Sequence, residues 1–284
     1  MKIAVLYIAT GRYSIFWDDF YTSCENYFLK KHEKTYFVFT DDENIKDKEN
    51  IRKIYQKKLG WPYDTMMRFD MFLTLEKELI DYDYIFFFNA NTKFLSDVNE
   101  EILPDEAHDG LATASHHAFY DKNPDDYTYD RNPLSTAYIP FGEGSHYATG
   151  ALNGGISKNY LDMCKKCSEN VHTDLDNNVI ALWHDESHLN KYLLDKNPLI
   201  MPVNYLYPET SKKRSKWNKP NEFSKDIKIL SVDKTKPQYG GHDYLRGAEN
   251  NSFLKNIFSI YDSTKGNHKI LRIFGLKISF KSPK

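Results

Sequence analysis

The segment WHDESHLN, residues 183 to 190, sets Trp, two His, Asp, Glu, Ser and Asn around a single leucine. Two chemistries suit such a set. His184 and His188 stand four apart, so a helix would bring both imidazoles to one face, as zinc sites require. The zinc-protease pattern, however, needs Glu directly after the first His, and here Asp185 follows His184 with Glu186 one position later. The second chemistry uses the acids themselves, because a carboxylate at a helix start beside a strand end can face a developing positive charge. The plainest structural reading makes Asp185 an N-cap with acids in the first turn. That explains the Asp, but not the Trp, His and Asn around it.

Two further stretches could touch a ligand. FFFNANTKF (86–94) ends an apolar run with Asn89 and Asn91, neutral amides where nucleotide-using α/β enzymes often carry metal-binding acids. TGALNGGIS (149–157) holds Gly150, Gly154 and Gly155, where the backbone could adopt positive φ or admit a ligand closely. It matches neither dinucleotide nor P-loop spacing, and a kinked strand and turn explains it equally well. Cys164 and Cys167 form C-x-x-C inside a helical pattern with no second pair, so they read as two thiols on one helical face.

These groups need a frame. KIAVLYI (2–8), TYFVFTD (35–41), IRKIYQ and YDYIFFF read as strands, and GLATASHH (110–117) as another. Helices are predicted from about Ser14 to Leu29, over 158–170, and across TMMRFDMFLTLEKEL, with Met66, Phe69, Phe72 and Leu73 on one face. The alternation implies a single α/β domain with a mainly parallel, Rossmann-like central sheet between helices. Ligands of such sheets gather beyond the carboxyl ends of the strands, where Ala9-Thr10-Gly11, Asp41-Asp42 and Asn89-Ala90-Asn91 fall. Residues 118–145 show no period, and so long a loop inside a compact domain is usually functional or mobile.

Taken together, NAN after YIFFF, YTYDRNPLSTAYIPFGEGSHYATGALNGG (127–155) and WHDESHLNKYLLD (183–195) resemble glycosyltransferase family six, which includes the blood-group A and B transferases and the α-1,3-galactosyltransferases. The resemblance implies a GT-A fold over residues 1–247. It also implies retaining transfer of galactose or N-acetylgalactosamine from a UDP-sugar to the 3-hydroxyl of a β-galactoside, fucosylated H-antigen-like chains included. By the same likeness Glu186 is the acid beside the anomeric carbon, and Asp185 binds donor-sugar hydroxyls. Arg68 lies near the donor sugar, Lys234 near the diphosphate, and Tyr7, Ile8 and Ala9 along uracil and ribose. Thr149, Gly150 and Ala151 fall where the family separates its two donor sugars, and His116 and Trp183 on the acceptor side. Asn89 and Asn91 depart from the animal members' D-x-D and resemble a bacterial branch. Hard dications want anionic oxygens, so the expectation is no metal and no cofactor. The amides would then hydrogen-bond donor oxygens, with Lys234, then Arg246, supplying positive charge to the leaving UDP. A silent carbohydrate-binding protein of the same fold, and more distantly a zinc hydrolase on His184 and His188, are the competing readings.

The 284 residues carry a net charge of −2, unevenly. After Asp262 no acid occurs while six Lys and Arg do, so the body holds a balance of −8 and is a poor nucleic-acid surface. No run approaches the ~18 apolar residues of a membrane span, MKIAVLYIAT reads as a first strand rather than a signal peptide, and three cysteines suit a reducing cytoplasm. Residues 248–284 form a basic tail mixing cations with aliphatic and aromatic residues. It reads either as an amphipathic segment touching the membrane surface or as a solvated end with a small strand.

Overall fold

The computed structural model describes residues 1–209 and 221–247, and of the remainder the strand residues 258–262, 268–273 and 276–281. In chain order the elements are β1 (Lys2–Ile8), α1 (Trp17–Tyr27), β2 (Glu33–Thr40), β3 (Ile51–Tyr55), α2 (Tyr63–Met66), α3 (Arg68–Leu73), α4 (Glu76–Leu79), β4 (Tyr84–Phe88), β5 (Thr92–Phe94), β6 (Leu111–Ser115), β7 (Ala148–Ile156), α5 (Ser157–Asp176), α6 (Asp185–Leu193), β8 (Leu199–Met201), β9 (Tyr207–Pro208), β10 (Ile229–Ser231) and α7 (Gly241–Leu245). Seven strands form the central sheet in the order β3-β2-β1-β4-β7-β6-β8. Only β7 runs against the others. This is the mixed α/β, mostly parallel sheet that the alternation of elements predicted, and it is of GT-A type.

The period of two along each strand explains the layering. In β1, Ile3, Val5 and Tyr7 enter one core while Ala4 and Leu6 enter the other. Phe86 and Phe88 of β4 join the first, Ile85 and Phe87 the second. Trp17, Phe20 and Cys24 of α1 cover one face, and α3 with α5 the other, with Cys164 and Cys167 buried and reduced among the latter. Burial on both faces is why these strands read as unbroken apolar runs.

Two expectations change and two open readings are sharpened. The single helix predicted over 65–79 is three short helices, broken at Met67 and Leu75. Thr74 spends its hydroxyl on the Met71 carbonyl at 2.6 Å, a local bond that competes with helix propagation. Gly154 and Gly155 lie in extended strand, absent from the positive-φ glycines. A Cβ at Gly154 would strike the Phe86 ring and one at Gly155 the Gly110 carbonyl, so these glycines serve sheet packing rather than a ligand. His184, with φ 53°, caps α6 and Asp185 begins it, so Asp185 is not the N-cap. The 118–145 stretch is irregular yet anchored. Arg131 donates to the Ile139 and Pro124 carbonyls, and Asp130 accepts from the Leu182 amide at 2.7 Å. Ser135 and Thr136 bind the Asp174 carboxylate.

A second small sheet, β5-β10-β9, sits beside the end of β4. At the C-terminal end β11 (Phe258–Asp262), β12 (His268–Ile273) and β13 (Leu276–Lys281) form an antiparallel meander. The side chains of the tail and its remaining residues lie outside the described part, and with them the membrane-surface reading.

Candidate active site

The carboxyl ends of β1 and β4 open into a cavity of about 270 Å³. Ile8, Thr10 and Tyr13 line it after β1, and Asn89 and Ala90 after β4. Arg68 enters from the start of α3, Gly150 and Ala151 from β7, and Trp183 to Glu186 from the head of α6. A second cavity of about 190 Å³ adjoins it and holds Asn91, His116, His117 and Thr149. Asn89, Ala151, Lys234 and His242 border both, so the two spaces meet across the β4–β7 strand ends.

The acids of WHDESH do different work. Asp185 is buried and its Oδ2 stands 2.7 Å from Arg68 Nη2. Burial pushes the Asp185 carboxyl up to about 6, with the Arg68 guanidinium pulling the other way. Arg68, itself 3% exposed, also donates from Nη1 to the Gly150 carbonyl at 2.7 Å, and its guanidinium lies 4.6 Å from the Phe87 ring centroid. Glu186 points into the cavity, held by two donors. The Gly150 N–H reaches Oε2 at 2.7 Å and the Tyr147 hydroxyl reaches Oε1 at 2.9 Å. Burial raises the Glu186 carboxyl, and those two bonds hold it down. Gly150 leaves little spare room, since a Cβ there would lie 3.0 Å from the Glu186 Cβ and 3.3 Å from the Asp185 carboxylate.

Most predicted residues converge here, some in unexpected roles. Of Tyr7, Ile8 and Ala9 only Ile8 lines the cavity. Tyr7 is fully buried, stacks on Phe20 at 4.3 Å and donates its hydroxyl to the Ala90 carbonyl, which ties the β1 and β4 ends together. The Ala9 amide bonds Phe39 of β2. Asn91 faces the second cavity, but its amide donates to Val232 O at 2.8 Å and Ser231 Oγ at 3.2 Å, so those donors fasten β10 instead of meeting a ligand. Lys234 borders both cavities with its Nζ 5.1 Å from the Tyr13 ring centroid. Trp183 opens on the first cavity and His116 on the second. Burial lowers the His116 imidazole to about 4, so it is neutral at pH 7.

The zinc reading fails on geometry. His184 sits outside the helix, edge-on to Trp61 at 4.8 Å. His188 is buried with Nε2 3.7 Å from Asp174. Among the described residues no three His, Cys, Asp or Glu are grouped to hold a metal ion. The amides that end β4 are neutral donors, and neutral amides fit a hard dication poorly. Sequence reasoning placed Thr10 at a ligand-gathering strand end and missed Tyr13, Trp61 and Tyr147. Trp61 packs under the Arg246 guanidinium at 3.7 Å.

Comparison with known proteins identifies the family. Residues 1–238 match the pattern of glycosyltransferase family 6. The O-antigen biosynthesis glycosyltransferase WbnI of Escherichia coli is 32% identical over 244 residues, covering 85% of this chain and 99% of that protein. Histo-blood group ABO system transferase 1 of Rattus norvegicus is 31% identical over 69% of the chain, and the globoside alpha-1,3-N-acetylgalactosaminyltransferase 1 of Gallus gallus 29% over 75%. The chain spans 58% and 64% of the length of these two animal proteins. Family membership carries with it a nucleotide-sugar donor and a glycan acceptor, and no helix among the described residues is long and apolar enough to cross a membrane. The chain belongs to glycosyltransferase family 6, and is a glycosyltransferase.

Proposed function

We propose that this enzyme moves galactose or N-acetylgalactosamine from a UDP-sugar to the 3-hydroxyl of a β-galactoside, with retention and without a divalent metal. The observation that carries the reading is Glu186, a carboxylate fixed through both oxygens and aimed into the cavity beside the Arg68–Asp185 pair. The first cavity takes the donor. Ile8, Thr10 and Tyr13 meet the nucleoside, Lys234 and Arg246 the diphosphate, and Arg68, Asp185 and Glu186 surround the sugar. The acceptor galactose enters from the second cavity along His116, whose neutral ring suits a sugar hydroxyl, with Trp183 on the wall of the first.

As the C1–O bond to UDP breaks, positive charge grows on the anomeric carbon and negative charge on the leaving diphosphate. Glu186 meets the first. It either attacks C1 to give a glycosyl-enzyme, which the acceptor oxygen then opens, or stabilises the cation while the acceptor attacks from the leaving-group face. Lys234 and Arg246 meet the second. In both courses the acceptor proton passes to the departing UDP or to solvent.

Turnover of Glu186→Gln, followed as UDP release with a UDP-sugar and a β-galactoside, is expected to fall at least ~10²-fold. Near-normal turnover by the folded variant would remove the assignment and revive the silent carbohydrate-binding alternative. Activity in EDTA is expected to equal that with manganese present. A strict manganese requirement would overturn the metal-free reading.

A further inference from the structure

Tyr147, the residue before β7, is buried and belongs to none of the groups considered so far for ligand contact. Its hydroxyl stands at the centre of a short chain. Thr128 Oγ1 donates to it at 3.3 Å, and it stands 2.9 Å from Glu186 Oε1. A phenol has one proton to give. The Thr128 carbonyl competes for it only at 3.5 Å, so the closer carboxylate takes it. The ring cannot easily turn away. It stacks on Tyr129 at 5.3 Å, packs on Phe119 at 4.7 Å and meets His116 edge-on at 5.6 Å.

Resting on the reading of Glu186 given above, we propose that Tyr147 is a positioning residue: it fixes Glu186 opposite the anomeric carbon and links that carboxylate, through its ring, to the His116 wall of the acceptor cavity. The irregular 118–145 stretch then has a task, because Thr128, Tyr129 and Phe119, which hold the phenol, all come from it. The arrangement also sets when Glu186 is ionised. Facing its carboxylate are the Tyr147 hydroxyl and the Gly150 N–H before and within β7, Arg68 from α3, and Asp185 on its own helix. Removing the phenol proton donor leaves burial less opposed, so the carboxyl must titrate at higher pH.

The test is Tyr147→Phe in the full chain, measured beside Glu186→Gln and the double variant. Expected is a loss of about 10- to 10²-fold in kcat, the scale of one hydrogen bond to a charged group. KM for both substrates should hold within about twofold, since no substrate contact is removed. The acid limb of the kcat–pH profile should move upward, and the double variant should be no slower than Glu186→Gln alone. A merely structural tyrosine would change thermal stability, leave the acid limb in place and add its loss to that of Glu186→Gln. Thr128→Val, which leaves the ring seated, should shift kcat and the acid limb the same way by a smaller amount. An unchanged profile in Tyr147→Phe and Thr128→Val beside a crippled Glu186→Gln overturns this proposal alone. A near-normal Glu186→Gln overturns the reading of Glu186 and this proposal with it.

Discussion

On the side of the cleft built by β1 and β4, the groups lining the cavity are Ile8, Thr10, Asn89 and Ala90, uncharged residues at the ends of strands buried on both faces. On the side built by α3, β7 and α6, Arg68, Asp185 and Glu186 are charged and hold one another in place through Gly150. The first side depends on the sheet, which many contacts support. The second depends on a few mutually dependent bonds in a buried setting, where leaving one charge unpaired costs far more than the pair itself contributes. A loss on the second side should therefore spread from one residue to the next, and a loss on the first should stay local.

The severest way to break this comparison is Arg68→Met, which leaves Asp185 buried without its cationic partner and the Gly150 carbonyl without its closest donor. A destabilisation of about 3–5 kcal/mol is expected in denaturant unfolding, with turnover lost as well. A change below about 1 kcal/mol, the scale of an exposed pair, would mean that the charged side is not interlocked.

A milder probe is pH. The folded-state value of Asp185, about 6, lies above its ordinary 3.8. Between those values the native state binds more protons than the unfolded chain, so this group's contribution to stability is largest at low pH and is lost as pH rises through about 6. The melting temperature of the wild type relative to Asp185→Asn should accordingly rise as pH falls from 7 to 4. Turnover should move the opposite way, because Glu186 must be ionised to act. A relative melting temperature that falls on acidification would refute the assignment of Asp185 as a buried, strained acid.

The smallest expected effect concerns Ala151, where the two sides meet and both cavities touch one methyl group. Ala151→Gly should raise the ratio of UDP-GalNAc to UDP-Gal turnover by about tenfold, as one methyl group in a pocket allows, with stability little altered. Thr149 borders only the second cavity, so Thr149→Ser should leave that ratio nearly unchanged.

Much of the charged side was legible in the sequence because WHDESHLN concentrates it in one segment, and β1, β2 and β4 were legible because burial on both faces writes itself as continuous apolar runs. What was hidden depends on distant partners. Tyr147 is one of 21 tyrosines, and nothing about its type separates it from the others until Glu186 is folded against it. The breaks around α3 follow from a threonine's local bond and from where Arg68 must point, neither of which alters the hydrophobic period. Gly154 and Gly155 read equally as ligand contacts or as a kinked strand, because spacing cannot tell a glycine that meets a substrate from one that meets a phenylalanine ring.

The Asn91 amide has a consequence for descent. Its two donor bonds hang the 231–232 backbone, and so the approach to Lys234, on a side chain that an acid could not imitate. An aspartate there would place its charge about 3 Å from the Val232 carbonyl and Ser231 hydroxyl oxygens, repelling the first. Introducing an acidic pair at 89 and 91 would thus loosen the strand leading to the lysine. On the proposed metal-free reading, with Lys234 as counter-charge, an acidic pair here would need the 231–234 segment to change in concert.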